Sequence, residues 1–197
     1  MTLWCAIRTF AAHADELGNP RPSAPIVFLK PEASLIDGPI DLSGHDGEVH
    51  HEVELVLRLD ATLQVSHIAV GLDLTDRAAQ AAARPEGLPW ARGKAFRGAA
   101  RVGPWVPWND DVEGLLNLSL ELRVDDEVRQ SATLRGMSIT PSALLDDLRR
   151  WAPLVEGDLL FTGTPSGVGR LHPGERVVAD LRSSNGVLLS QIDLMCC

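Results

Sequence analysis

The sequence predicts an α+β fold in which strands outnumber a few short helices. Two observations carry this expectation. Period-two alternation recurs along the chain, most clearly where Val53, Leu55, Leu57 and Leu59 fall on one parity. Longer helical stretches with a start signal are confined to two places, after Thr75 and after Thr140.

The elements follow in order. Residues 1–45 are rich in Pro and Gly, with Pro20, Pro22, Pro25, Pro31 and Pro39. A short helical piece is expected near His13–Leu17, then a strand at Ile26-Val27-Phe28-Leu29, then a loop. After the strand that carries Glu52 and Glu54 comes a second apolar run, Val65–Leu74. Thr75 reads as the N-cap of a helix through Asp76–Arg84, which Pro85 and Gly87 end. Asp76 in its first turn suits the helix dipole. Residues 88–108, dense in Trp, Gly and Pro, are expected to be irregular and packed on the core. Strands at Leu116–Val124 and Val128–Leu134 are joined by the acidic turn Asp125-Asp126-Glu127. Thr140-Pro141 opens a second helix with Leu144, Leu145, Leu148 and Trp151 on one face. A strand at Asp158–Thr162, a Gly-rich loop, and strands near Arg176–Leu181 and Val187–Leu194 complete the chain.

Composition narrows the function. The 197 residues suffice for one sizeable core, and 45% hydrophobic with 23% charged residues is ordinary for a soluble globular protein. A net charge of −9 without a basic stretch argues against nucleic-acid binding, and means that an anionic substrate must be attracted locally. No apolar run has the length of a membrane span, and no signal peptide is expected. The cysteines, Cys5, Cys196 and Cys197, show no zinc-type spacing, and their odd number suits a reduced cytoplasmic protein. A metal, if bound, is therefore one that takes oxygen ligands.

The most informative residues are Glu52 and Glu54 in His50-His51-Glu52-Val53-Glu54-Leu55. Both carboxylates leave one strand face, roughly 7 Å apart at the backbone, where uncovered like charges destabilise a strand. A hard cation between them relieves the repulsion. By itself such a pair is more often a solvated strand face. Asp73 ends the second apolar run just before a helix, where a functional group is exposed on rigid backbone. Arg77 and Gln80 then share a helix face, which is either a site or a plain polar surface. Lys94 lies between Trp90 and Phe96, and its stem suits an apolar surface as well as a site. His13 and Glu16 are three apart, so a helical turn brings them together, either as a base with its orienting carboxylate or as surface residues. The loop Phe161-Thr162-Gly163-Thr164-Pro165-Ser166-Gly167-Val168-Gly169 lacks the lysine of a nucleotide-binding P-loop, but its glycines let backbone N–H groups approach an anion.

Taken together, these segments resemble the fumarylacetoacetate hydrolase family in its small single-domain branch, from about Arg8 to the C-terminal strands. The resemblance rests on Glu52-x-Glu54-Leu55 and Asp73-x-Thr75-x-Arg77-x-x-Gln80. It also rests on Pro89-Trp90 with Lys94-x-Phe96 and Gly103-Pro104-Trp105, and on Glu156-Gly157-Asp158 leading into Thr162-Gly163-Thr164-Pro165-x-Gly167-Val168-Gly169. It implies one catalytic domain over residues 1–197, built as a mixed β-roll with short helices, whose first 30 or so residues carry a lid. It implies that Glu52, Glu54 and Asp73 hold Mg²⁺ or Mn²⁺, that Arg77, Gln80 and Thr164 bind substrate, and that His13, Glu16 and Lys94 are catalytic. The implied activity is C–C bond cleavage of a 2-oxo acid, by acylpyruvate-type hydrolysis or oxaloacetate-type decarboxylation, with isomerisation or tautomerisation as the alternative. A homodimer is implied as well. The chain departs from the family's usual residues at Thr9-Phe10, Ala78 and Arg97. Only nineteen positions separate Glu54 from Asp73, so a helix usual there is expected to be shortened or absent.

Overall fold

The computed structural model describes residues 1–16, 22–45 and 48–197. Its first strands are β1 (Thr2–Ala6), β2 (Val27–Pro31), β3 (Val49–His51), β4 (Val53–Leu59), β5 (Val65–Asp73) and β6 (Thr75–Asp76). Then come β7 (Ala100–Val102), β8 (Val106–Pro107), β9 (Ser119–Val124) and β10 (Glu127–Thr133). The last are β11 (Leu159–Phe161), β12 (Gly169–Arg170), β13 (Arg176–Arg182) and β14 (Leu188–Met195). The helices are α1 (Ala11–Glu16), α2 (Arg77–Ala83), α3 (Ala91–Lys94) and α4 (Pro141–Trp151). The predicted α+β class holds. The expectation for Leu17 falls outside the described residues.

Three sheets organise these strands. The largest runs β2-β1-β11-β4-β5-β7, with β8 also on β5, and is mixed because β1 and β11 pair in parallel. The second runs β10-β9-β13-β14 and is antiparallel throughout. The third, β12-β3-β6, is a small clasp beside the acidic residues. Leu55, Leu57, Ile68, Val70 and Leu72 of the large sheet meet Leu120, Leu122, Val177 and Ala179 of the second sheet in the main core. The opposite face is buried too, in a smaller cluster of Leu3, Cys5, Val56, Leu159 and Phe161. The central strands are therefore dry on both sides, and Glu54, on the same parity as Val56, is buried instead of lying on a solvated face.

Several local expectations are refined. The strand predicted to run through Glu52 is divided there: β3 belongs to the clasp and β4 to the large sheet. Asp76, not Thr75, caps α2, its carboxylate accepting from the Ala79 N–H. Thr75 instead donates its hydroxyl to Glu52 at 2.9 Å. The stretch 88–108 contains α3, β7 and β8, and residues 112–117 form a 3₁₀ turn before β9. Thr140 caps α4 as expected, and Leu144, Leu145 and Leu148 enter the core. Trp151 is 57% exposed yet rests edge-on against Trp4 at 5.8 Å. The link from β4 to β5 is a tight turn organised by Asp60, so the helix expected to be lost there is absent.

Asp158 ties the chain start to β11. Its buried carboxylate accepts from the Thr2 N–H at 2.8 Å, the Trp4 indole at 3.0 Å and the Val155 N–H at 3.2 Å. Asp158→Ala should strand these donors and lower unfolding free energy by about 2–4 kcal/mol in a denaturant titration. A loss below about 0.5 kcal/mol, the scale of an ordinary surface change, would contradict this role.

Candidate functional site

The register of β4 and β5 assembles the site. Val53 pairs with Leu72 and Glu54 with Gly71, and the Asp73 N–H donates to the Glu52 carbonyl at 2.9 Å. Glu52 and Asp73 are thus opposite each other, with Glu54 two residues along on the same face. Oxygen atoms of the three carboxylates lie within 4.8 Å of one another, and all three side chains are buried. Gly71 makes room on this face, since a Cβ there would lie 2.4 Å from Val56 Cγ2.

Cations surround the cluster without closing it. Lys94 Nζ bridges Glu52 Oε2 at 2.9 Å and Asp73 Oδ2 at 2.7 Å. Arg77 forks, giving one nitrogen to Glu52 Oε1 at 2.7 Å and another to Gln80 Oε1 at 2.8 Å. Lys30 Nζ, wholly buried, lies 2.7 Å from Asp73 Oδ1. That contact is an ion pair outside hydrogen-bond geometry, and the Lys30 ammonium also donates to the carbonyls of Leu74 and Ala99. Asp73 Oδ1 is left as a buried acceptor without a hydrogen-bond donor. Glu54 accepts only from the Gly163 N–H, at 2.7 Å, and has no ion-pair partner among the described residues.

The titration behaviour follows. Burial alone would raise the Glu52 carboxyl, but Lys94 and Arg77 more than offset it and hold it at about 2. Burial opposes the charge on Lys94, yet Asp73 and Glu52 raise its affinity for a proton. Glu54 goes the other way: burial, then Asp73, then Glu52 push it well above the ordinary carboxylate range. The Glu54 carboxylate, which lacks an ion-pair partner among the described residues, and Asp73 Oδ1, which has an ion pair but no hydrogen-bond donor, fit a divalent cation that takes oxygen ligands. Its charge would do for Glu54 what a proton does otherwise.

Above the acids lies a cavity of about 50 Å³, lined by His13, Glu52, Glu54, Arg77, Gln80, Lys94 and Thr164 together with Arg8, Arg84 and Trp90. Glu16 stands behind His13, its Oε2 3.0 Å from Nδ1. The same carboxylate accepts from the Gly167 N–H at 3.0 Å, docking α1 on the Gly-rich loop. An ionised carboxylate only accepts, so Nδ1 carries the proton in this pair and Nε2 remains the free ring nitrogen. The loop is fixed by Gln130, which donates to Thr164 Oγ1 at 2.8 Å and to the Pro165 carbonyl at 2.9 Å. Gln130 also meets the buried His51 at 3.0 Å. Gly163 has φ +96°, and a Cβ there would lie 2.0 Å from Thr9 Oγ1, so only glycine presents this N–H to Glu54.

The structure therefore brings all nine proposed site residues to one place, with Asp73 beneath the cavity and Glu16 behind His13. Sequence reasoning missed Lys30 and Gln130. Lys30 directly follows the expected strand Ile26-Val27-Phe28-Leu29. Its signal was parity: Phe28 and Lys30 share a face, while Leu29 on the other is 51% exposed. Gln130 sits in a strand that otherwise reads as plain alternation.

A profile described as fumarylacetoacetate (FAA) hydrolase C-terminal matches residues 2–192. The chain is 36% identical over 189 residues to the mitochondrial oxaloacetate tautomerase FAHD2 of Oryza sativa subsp. japonica, covering 88% of this chain and 83% of that protein. It is 35% identical over 181 residues to a mitochondrial oxaloacetate decarboxylase of Dictyostelium discoideum, covering 85% and 83%. Among solved structures, the fumarylpyruvate hydrolase of Pseudomonas aeruginosa in complex with Mn²⁺ and pyruvate superposes with a TM-score of 0.88 at 31% identity, covering 100% of this chain and 89% of that one.

The raised Glu54 carboxyl has a sign that can be tested without turnover. In metal-free protein the folded state keeps this proton while the unfolded chain releases it near the ordinary value of 4.5. Stability is therefore lost as pH rises above that value towards the raised one. Glu54→Gln removes the penalty, so metal-free Glu54→Gln should melt progressively higher than metal-free wild type as pH increases. Added Mg²⁺ or Mn²⁺ should raise the wild-type Tm and leave Glu54→Gln nearly unmoved. Equal metal-induced shifts in both proteins would remove Glu54 from the ligand set.

Proposed function

The chain belongs to the fumarylacetoacetate hydrolase family, and on that footing we propose that it is a divalent-metal-dependent enzyme that interconverts the keto and enol forms of oxaloacetate-type 2-oxo acids. One observation carries the reading: an open buried carboxylate cluster and a His13–Glu16 pair share one small cavity. Glu52, Glu54 and Asp73 would hold Mg²⁺ or Mn²⁺, which supplies Lewis-acid polarisation of the 2-oxo group. The relatives named for oxaloacetate tautomerisation support this choice of reaction.

The chain's own residues do the rest. His13, with Nδ1 held by Glu16, takes a proton from the carbon beside the ketone at Nε2 and returns it to the enol oxygen or to carbon. No atom is lost or gained, so a single base in one protonation cycle suffices. Lys94, kept charged by Glu52 and Asp73, faces the oxygen on which negative charge develops. Arg77, fixed by Glu52 and Gln80, offers its remaining N–H groups to the substrate carboxylate. Thr164, oriented by Gln130, supplies a further hydroxyl at the cavity wall. Docking of α1 on the Gly-rich loop keeps bulk water from His13, which is 6% exposed.

The second reading is C–C cleavage, favoured by the decarboxylase and the fumarylpyruvate hydrolase among the similar proteins. Loss of CO₂ from oxaloacetate gives the same enolate without an attacking water, whereas acylpyruvate hydrolysis needs His13 to activate one. Following enol absorbance, pyruvate and CO₂ separately distinguishes these reactions. The expected outcome with metal-loaded wild type is fast loss of the enol signal without matching pyruvate. His13→Ala should slow that step by about 10²–10⁴-fold, the usual contribution of a positioned base. Pyruvate formed in step with substrate loss would favour cleavage, and an unaffected His13→Ala would remove His13 from the chemistry.

A further inference from the structure

Arg8 lines the same cavity as the acidic cluster, yet the chemistry above gives it no part. We propose that Arg8 selects a second, distal carboxylate on the substrate, so that the site prefers short 2-oxo dicarboxylic acids to 2-oxo acids with an uncharged distal end. This rests on the 2-oxo acid reading and deepens it.

Each other cation of the cluster already has a task. Lys30 is held by Asp73 and two carbonyls, Lys94 by Glu52 and Asp73, and Arg77 by Glu52 and Gln80. Arg84 has a bonding partner as well. Half-buried Arg8 makes no hydrogen bond or ion pair among the described residues. A guanidinium at the wall of a cavity is thus left with its planar fork unfilled, the geometry that matches a carboxylate.

The backbone strengthens the case. Arg8 has φ +58°, in the left-handed region that disfavours a side chain of this kind. The chain is pinned on both sides of it: the Ile7 N–H donates to the Ile26 carbonyl at 3.0 Å, and the Ser138 N–H to the Thr9 carbonyl at 2.7 Å. The Thr9 hydroxyl donates to the Thr162 carbonyl at 2.7 Å. If only the bend mattered, glycine or asparagine would make it with less strain. An arginine held in an unfavourable conformation by its neighbours, at a cavity wall, is where strain accompanies a site.

Charge points the same way. A dianion approaching a chain of net charge −9 needs placed cations, and Lys30, Lys94 and Arg77 are already paired with Glu52 and Asp73. Arg8 adds a positive charge at the cavity that no carboxylate of the cluster neutralises. A cavity of about 50 Å³ suits short acids.

The test uses Arg8→Asn, which tolerates the left-handed backbone, and Arg8→Lys, which keeps the charge without the fork. Calorimetric titration of Mg²⁺-loaded protein compares malate with lactate, unreactive acids that differ in the distal carboxylate. In Arg8→Asn, malate affinity relative to lactate should fall about tenfold, the scale of one charge-assisted pair, with Arg8→Lys intermediate. The kcat/KM for oxaloacetate relative to acetylpyruvate should fall by a similar factor, mostly through KM. Equal losses for both members of each pair would overturn the proposal in favour of a role in shaping the loop, and no loss would overturn it outright. Turnover of neither acid by wild type would defeat the enzymatic reading, while the malate and lactate titrations would still decide the role of Arg8.

Discussion

Two carboxylates placed opposite each other on a dry sheet face set the terms for everything around them. Glu52 and Asp73 meet across the β4–β5 ladder, and Glu54 follows on the same face. In a low-dielectric interior such a cluster is unstable unless cations and hydrogen bonds satisfy it. Lys94, Lys30 and Arg77 neutralise most of the charge, from three different parts of the chain. They leave the Glu54 carboxylate without an ion-pair partner among the described residues, and Asp73 Oδ1 with no hydrogen-bond donor, held only by its ion pair to Lys30. These oxygens have the ligand chemistry that a hard cation prefers.

That constraint reaches outward through the backbone. Gly71 has no side chain because Val56 fills the space beside it, and Gly163 has none because Thr9 does. The second exchange matters for the site: the positive φ of Gly163 points its N–H at Glu54, and the Thr9 hydroxyl locks the same loop through Thr162. Gln130 then joins the loop to the β3–β4 junction, accepting from the Val53 N–H at 3.1 Å while donating to Thr164 and Pro165. The acidic floor and the loop above it are in this way parts of one hydrogen-bonded unit. The His13–Glu16 pair is added by docking onto Gly167, so the proposed base His13 sits over the floor without belonging to the sheet.

Much of this was legible in the order of residues, and the limits were physical. Parity placed Glu52 and Glu54 together because alternation is a property of the strand itself. Helical spacing placed His13 by Glu16 and Arg77 by Gln80 for the same reason. What parity cannot report is which face is wet. Val56 showed that the second face is dry only once Leu3, Leu159 and Phe161 were seen to cover it. Thr75 looked like a cap by type, but its hydroxyl is drawn to Glu52 while Asp76 serves α2, a choice made by tertiary neighbours. Lys30 was invisible because its partners, Asp73, Leu74 and Ala99, are distant in the chain. Placement of the acids could be read locally, whereas their neutralisation could not.

The central claim is that Glu52, Glu54 and Asp73 hold one divalent cation. Its most direct test is anomalous scattering at the manganese edge from crystals of the whole chain equilibrated with Mn²⁺. The account predicts a single strong peak within about 2.0–2.4 Å of an oxygen from each of the three carboxylates. No peak there at saturating Mn²⁺, or a peak held by other residues with these carboxylates still paired only to Lys30, Lys94 and Arg77, would contradict it.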